Sequence, residues 1–284
     1  GTRFLDIVTA TIGESLEKSK IGRDKFLGIG IGVPGIVDFH NGTIIDFALI
    51  HSFTGINLKE HLERTFGLKV FIDNNANTRA LGEYWYGHGV GYKNIIFVIC
   101  SEGIGSGVIA DGNILRGKSN TTGELGHMTV NMDGRKCICG RYGCVESYCS
   151  TEALENIAKE ALRSGRSSKV LEDVNGDIEA IDYKLICKGA EEGDKLCLER
   201  LEEAACVLSA GLSNLIGITN PELVILSGNL FDASDLFYNM VTELTKQKLI
   251  NPVAQEVIFK KRKVKDNLYE IGAATMVYKA FFED

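Results

Sequence analysis

One short cysteine-rich segment limits most strongly what this chain can fold into. Residues 123–147 read GELGHMTVNMDGRKCICGRYGCVES, in which a histidine precedes three cysteines spaced within one loop. Three thiolates and one imidazole are the ligand set of a closed tetrahedral zinc site. The segment therefore predicts a zinc-binding loop whose ligands are His127, Cys137, Cys139 and Cys144.

Two other interpretations of these cysteines stay open. The thiols could be reduced structural groups, or Cys137 and Cys139 could form a disulfide, although a bridge across one residue is strained. The other cysteines lie in apolar stretches such as IIFVIC and LEEAACVLSAGL, which favours small core residues. Because the first residues do not read as an export signal, we expect a reducing cytoplasm and a metal site rather than a disulfide framework.

The composition indicates a folded chain and excludes several classes of function. The 284 residues are 44% hydrophobic and 24% charged, which supports a core and excludes a disordered tail or a fibre. The net charge of −7 makes these residues poor partners for DNA or a membrane surface. No apolar run approaches the roughly 20 residues that span a bilayer.

Apolar runs alternate with amphipathic stretches, which predicts an α/β fold. A hairpin with a glycine-rich turn is expected over NIIFVICSEGIGSGVIADGNIL (94–115), and residues 77–86 are expected to form a helix. The strands predicted before them are FLGIGIGV (26–33), TIIDFAL (43–49) and KVFID (69–73).

Several motifs together resemble the ROK family, which groups repressors, open reading frames and sugar kinases. The zinc loop in this spacing is the most specific of them, whereas the glycine hairpin alone would be weak evidence. The matching stretches are GIGVPGIVD (30–38), IDNNANTRALGE (72–83), EGIGSGVIADGNILRG (102–117), GELGH (123–127), CICGRYGCVES (137–147) and NPELVILSG (220–228).

The resemblance implies an actin-like, hexokinase-like (ribonuclease H-like) α/β fold of two lobes with a sugar in the cleft. We expect a first lobe over 1–117, without its N-terminal strands, and a second over 118–284 with the zinc loop. Side chains that donate and accept hydrogen bonds suit sugar hydroxyls. If the resemblance is set aside, Glu124 and Glu146 would be interpreted as solvated loop carboxylates. The sugar ligands that the resemblance implies are Gly35, Asn74, Asn75, Glu124, His127 and Glu146.

The chain departs from the kinases of this family at the catalytic base. Such kinases carry an aspartate where this chain has Asn75, and an amide cannot accept the proton of the attacking hydroxyl. Asp73 could serve only if the register slipped, which would turn the side chain to the other face of an extended segment. Asn75 therefore predicts binding without catalysis.

The nucleotide loop also differs from that of the kinases of this family. Kinases of the family usually read Gly-Thr-Gly where this chain reads Ser-Glu-Gly, and the carboxylate of Glu102 would repel a triphosphate unless it turned to solvent. We interpret this loop as degenerate; its residues are Glu102, Gly103, Gly105 and Gly228.

A third departure concerns the N-terminal hairpin of the family, which carries a phosphate loop. This chain opens at a predicted helix, and nothing before GIGIGVPG supplies that loop. The three departures favour the repressor branch: a cytoplasmic, homodimeric body that senses a sugar, with xylose as the first candidate. DNA would be bound only through an N-terminal region that these residues do not include, and no membrane partner is expected.

Two alternatives stay open. The first is an ATP-dependent sugar kinase that resembles glucokinase or N-acylmannosamine kinase. The second is a zinc-stabilised fold that has kept no ligand. Residues 75 and 102 discriminate the sensor from the kinase.

Overall fold

A computed structural model describes residues 2–46, 53–263 and 267–282. The chain divides into two compact units. The first comprises Gly1–Gly91, Ile114–Thr122 and Asn267–Asp284, and the second comprises Tyr92–Asn113 and Gly123–Asp266.

The secondary structure follows the α/β pattern expected from the sequence. The described strands are β1 (Gly28–Val33), β2 (Ile36–Asp38), β3 (Thr43–Asp46), β4 (Lys69–Asn74), β5 (Ile95–Cys100), β6 (Ile104–Ala110), β7 (Asn113–Ile114), β8 (Leu223–Ser227) and β9 (Ile258–Arg262). The described α-helices are α1 (Thr2–Lys18), α2 (Leu58–Phe66), α3 (Asn75–Tyr86), α4 (Glu146–Cys149), α5 (Thr151–Arg163), α6 (Val170–Asp173), α7 (Tyr183–Glu191), α8 (Lys195–Thr219), α9 (Asn229–Ala233), α10 (Asp235–Lys248), α11 (Asn251–Glu256) and α12 (Leu268–Phe282). The last residues of the predicted strand TIIDFAL, 47–49, lie outside the described residues.

In the first unit, the alternation of isoleucine and glycine along β1 decides what packs on each face. β1 pairs with β4 in parallel, and Ile29 and Ile31 contact the buried cluster around Leu62. The glycines have no Cβ, so helix backbone approaches them closely. A Cβ at Gly30 would lie only 2.0 Å from the carbonyl oxygen of Ala273 in α12. The C-terminal helix therefore lies directly on an N-terminal strand.

The junction between β4 and α3 corrects one expectation. The sequence predicts a helix from Asn77, with Asn75 in an extended segment, but α3 begins at Asn75. Asn74 is the N-cap residue, and its side-chain Oδ1 accepts a hydrogen bond from the backbone N–H of Ala76 at 2.7 Å. Asparagine is among the preferred N-cap residues because it satisfies one of the free N–H groups of the first turn.

In the second unit, a five-stranded sheet of order β7-β6-β5-β8-β9 forms the centre. β5 pairs antiparallel with β6 and parallel with β8, and β8 pairs parallel with β9. The central strands carry continuous apolar runs because both of their faces are covered. At the β6–β7 connection, Asp111 and Gly112 have φ of 48° and 78°, as the Asp-Gly hairpin signal predicts.

Helix α8 is the main apolar helix of the second unit. By length and composition alone it could cross a membrane, but 56% of its apolar window is buried inside the protein. Such burial is typical of a core helix. A Cβ at Gly211 in this helix would lie 2.7 Å from Val145, so the cysteine-rich loop packs closely against it.

Candidate functional site

The cysteine-rich loop has little regular structure and is shaped by backbone hydrogen bonds. The N–H of Cys137 donates to the carbonyl of Arg141 at 2.8 Å, which closes the tight turn that carries Cys139. Gly143 follows with φ of 67°, and a Cβ there would lie 1.5 Å from the carbonyl oxygen of Asn131. This position accepts only glycine, because both the conformation and the space exclude a side chain.

The loop brings together the four residues that the sequence predicts as metal ligands. The Nδ1 atom of His127 lies 3.7 Å from the Sγ of Cys137, and the sulfurs of Cys139 and Cys144 are also 3.7 Å apart. All four ligand atoms lie within 4.8 Å of one another. The cysteines are free thiols, so the alternative Cys137–Cys139 disulfide is absent. The group can hold one metal ion.

The thiols of this cluster differ in their ease of ionisation. Burial raises the pKa of Cys139, but hydrogen bonds from Arg141 and from the two other thiols outweigh it and lower that pKa to about 7. Burial, with the adjacent Cys139, raises the pKa of Cys144 to about 12. Without a cation, the exposed Cys139 beside Arg141 is therefore the thiol that ionises first. Thiolates are the form that binds metals, so an added cation would favour ionisation of the others.

Side chains also attach the loop to the helices beside it. The hydroxyl oxygen of Tyr148 accepts hydrogen bonds from the backbone N–H of Arg135 at 2.9 Å and from the side chain of Asn131 at 3.3 Å. The guanidinium of Arg135 pairs with both carboxylate oxygens of Glu160 in α5. Hydrogen bonding to Arg135 lowers the pKa of Glu160. The loop therefore has attachments that do not involve its metal ligands.

Two predicted sugar-binding carboxylates lie next to this loop in the second unit. Glu146 is the first residue of α4, two positions after Cys144, and its Oε2 accepts a hydrogen bond from the backbone N–H of Ile104 at 2.9 Å. Glu124 precedes the 3-10 turn Leu125–His127. Both carboxylate residues are half-buried.

The turn between β5 and β6 carries Glu102 and Gly103, which the sequence predicts as part of a degenerate nucleotide loop. Glu102 is exposed, and its Oε1 accepts a hydrogen bond from the side-chain amide of Asn229 at 3.1 Å. The hydroxyl of Ser101 accepts one from the backbone N–H of Asn229 at 2.9 Å. Gly228 has φ of 121°, and a Cβ there would lie 2.2 Å from the carbonyl oxygen of Cys100. Glu102 thus reaches solvent but is also bonded to the residue that begins α9.

The other predicted sugar ligands lie in the first unit. The side-chain amide of Asn74 donates to the carbonyl oxygen of Gly35 at 2.8 Å, and Gly35 has φ of 95°. The side chain of Asn75 is half-buried and has no hydrogen-bond partner among the described residues. Asn74 therefore shapes the turn at Gly35, whereas the amide of Asn75 is available to a ligand.

One buried contact in the first unit was not predicted from the sequence. Asp73 is buried and forms an ion pair with Arg116, with 2.8 Å between Oδ2 and the guanidinium nitrogen. It also accepts a hydrogen bond from the side chain of Asn77 at 2.9 Å. The ring of Phe39 lies 3.7 Å from the Arg116 guanidinium carbon. Arg116 lies within a family motif of the sequence, but the motif does not indicate that Asp73 is its partner.

The fold and these motifs together define the class of protein. The actin-like α/β fold is shared with a ROK family glucokinase from Streptomyces griseus, solved in complex with glucose and AMPPNP. The TM-score is 0.84 at 28% identity, covering 98% of this chain and 88% of that one. The ROK family model matches residues 2–280. This chain belongs to the ROK family.

Relatives within the family include both repressors and kinases. A xylose repressor of Caldicellulosiruptor bescii is 31% identical over 275 residues, which are 97% of this chain and 68% of the relative. A glucokinase of Halalkalibacterium halodurans is also 31% identical, over 278 residues that are 95% of this chain and 83% of the relative. The chain is thus similar to both repressors and kinases.

Proposed function

We propose that this chain is the sugar-sensing and dimerisation region of a ROK transcriptional regulator, a cytoplasmic repressor of a sugar-utilisation operon, and that it is not catalytic. The observation that carries the proposal is the amide of Asn75 at the start of α3, where the kinases of the family place their base. An amide can bind a sugar hydroxyl but cannot take its proton.

The carboxylate of Asp73, two residues before Asn75, is poorly suited to replace the missing base. Asp73 is 2% exposed and is occupied by Arg116 and Asn77. Both oxygens of this carboxylate therefore already have partners, Oδ2 in Arg116 and Oδ1 in Asn77. A slipped register that used Asp73 as the base would also have to break this buried ion pair, which is unfavourable.

The metal that we assign to the loop is zinc, held by His127, Cys137, Cys139 and Cys144. A tetrahedral zinc ion with Zn–S bonds of about 2.3 Å has sulfur–sulfur separations of about 3.8 Å. The observed 3.7 Å between the sulfurs of Cys139 and Cys144 fits this value. Because Nδ1 of His127 is the nitrogen beside Cys137, Nε2 is the nitrogen that can donate to a sugar hydroxyl.

The sugar ligands that we propose are those implied by the family. They are Gly35, Asn74 and Asn75 of the first unit and Glu124, His127 and Glu146 of the second. Xylose is the proposed effector, since a xylose repressor is among the relatives. The DNA-binding region would belong to chain outside these residues, and the sensor would act as a homodimer.

The alternative function is an ATP-dependent sugar kinase, which the similarity to glucokinases supports. Glu102 argues against it, because the bond from Asn229 keeps its carboxylate at the turn, where it would repel a bound triphosphate. Coupled ADP release with D-glucose, N-acetylmannosamine and D-xylose separates the two functions. Turnover of about 1 s⁻¹ or more with any of these sugars would establish the kinase.

The sensor itself is tested by thermal unfolding with the same sugars. We expect D-xylose to raise the melting temperature of the zinc-loaded chain, because a ligand that binds only the folded state stabilises it. Glu124→Ala or Glu146→Ala should abolish the shift, and the exposed Glu152→Ala serves as the matched control. A broader panel of pentoses, hexoses and N-acetylhexosamines that leaves the melting temperature unchanged would defeat the sensor function and leave the zinc-stabilised fold.

A further inference from the structure

The two carboxylate oxygens of Glu146 have different surroundings. Oε2 accepts the hydrogen bond from the N–H of Ile104 at 2.9 Å, whereas Oε1 has no hydrogen-bond partner among the described residues. The side chain is half-buried, so the bond to Ile104 is only partly exposed to competing water. One oxygen thus holds the protein backbone, and the other can receive a ligand.

The backbone that Glu146 holds is the turn Ser101–Ile104, which is also bound from two other sides. The carbonyl of Ser101 accepts a hydrogen bond from the N–H of Thr151, the first residue of α5, at 2.8 Å. Asn229, the first residue of α9, donates its backbone N–H to Ser101 and its side-chain amide to Glu102. The turn Ser101–Ile104 therefore links α4, α5 and α9 within the second unit.

We propose that Glu146 is a positioning residue that relays sugar binding to the turn Ser101–Ile104 and, through Ser101 and Glu102, to α5 and α9. The relay rests on the proposed sugar site. A carboxylate is a rigid planar group, so a hydroxyl that fixes Oε1 also fixes Oε2 and strengthens the bond to Ile104. The sugar can stabilise this conformation of the turn only to the extent that it binds it more tightly than other conformations.

Gly103 offers a substitution that disturbs the relay without removing Glu146. A Cβ at residue 103 would lie 3.1 Å from Oε2 of Glu146, closer than an ordinary contact, so the carboxylate must move by a few tenths of an ångström. Gly103 has no positive φ, so alanine fits its backbone. Gly217→Ala is the matched control, because a Cβ there meets nothing within 4 Å.

The experiment is amide hydrogen exchange on the full zinc-loaded chain, with and without D-xylose or D-glucose, and with sugar affinity measured by calorimetry on the same samples. In the wild type and in Gly217→Ala, we expect the bound sugar to slow exchange at Ile104 by about fivefold. In Gly103→Ala, the sugar should still bind but should no longer slow this exchange. In Asn229→Ala, the sugar should still slow exchange at Ile104 but should no longer slow exchange in α9.

The outcomes separate the relay from the proposed function. A sugar that binds the wild type without changing exchange at Ile104 overturns the relay and leaves the sensor intact. A Gly103→Ala variant that binds sugar and still shows the slowed exchange also overturns the relay. If neither sugar binds, the proposed function fails and the relay fails with it. Glu146→Ala tests the underlying bond without any sugar, since exchange at Ile104 should then become faster.

Discussion

The two groups of proposed sugar ligands are held in place by different means. At the end of β4, Asn74 caps α3 and bonds Gly35, and the buried ion pair of Asp73 and Arg116 lies beside it. In the second unit, Glu124 and His127 lie on a loop that contains one 3-10 turn and isolated bridges rather than strands, and Glu146 begins the short helix that follows it. The first group is positioned by secondary structure and its caps, the second by a short loop with a metal-binding cluster.

This difference affects how precisely the side chains of each group are positioned. A strand that runs into a capped helix fixes its side chains through many cooperative hydrogen bonds. A short loop cannot do so alone, and four metal bonds can supply the missing constraint. We therefore expect the two groups to respond independently when either support is removed.

The largest effect is expected from Cys144→Ser. Cys144 is buried at the centre of the proposed zinc site, so the loss of this ligand should reduce zinc below one equivalent and destabilise the second unit by about 4 kcal/mol. Metal analysis and thermal unfolding measure both quantities, and amide exchange should show the end of β4 unchanged. Cys206→Ser, at an exposed thiol outside the cluster, is the control. Retention of a full equivalent of zinc would contradict the assignment.

Arg116→Ala should destabilise the first unit by about 3 kcal/mol, because it leaves the buried carboxylate of Asp73 without its cation. Zinc content and the exchange of residues 128–149 should not change. Lys118→Ala, two residues along and exposed, should have little effect. A loss of zinc in Arg116→Ala would show that the two groups are not independent.

A smaller effect is expected from combining Asn75→Asp with Glu102→Thr. The pair restores a carboxylate to the first group and removes one from the nucleotide turn, so ATP affinity should rise by about tenfold, chiefly through the loss of charge repulsion. Calorimetric titration with ATP checks this, and each single variant shows which group is responsible. Turnover need not appear. An unchanged affinity in Glu102→Thr would mean that Glu102 does not exclude nucleotide.

The smallest effect concerns the ion pair between Arg135 and Glu160, which attaches the loop to α5. Both side chains are more than one third exposed, so Arg135→Gln should cost only about 0.5–1 kcal/mol at pH 7. Because the pKa of Glu160 is lowered in the folded state, the stabilisation is present above the ordinary glutamate value of 4.5 and is lost as pH falls through the lowered value. Denaturant unfolding of the wild type and of Arg135→Gln at pH 7 and pH 3 tests this. A difference in stability that persists at pH 3 would exclude the ion pair with Glu160 as its cause.

The sequence predicted the α/β class and the metal cluster because both depend on local patterns. The spacing of His127 and the cysteines contains the whole ligand set, and apolar runs mark the buried strands. The start of α3 was predicted two residues late because the capping role of Asn74 competes with its interpretation as a strand residue. The partners of Asp73 and Glu146 could not be predicted, since Arg116 and Ile104 come from distant segments that only the tertiary structure brings close.

The packing of α12 on the glycine face of β1 has a consequence for the order of events during translation. The two elements are about 235 residues apart in the chain, which at bacterial elongation speeds corresponds to roughly 10–50 s. The segment Gly123–Asp266 of the second unit leaves the ribosome during that interval, before the first unit can complete its core. Until Leu268–Phe282 has been synthesised, the glycine face of β1 has no helix to cover it, so the first unit completes its packing later than the second.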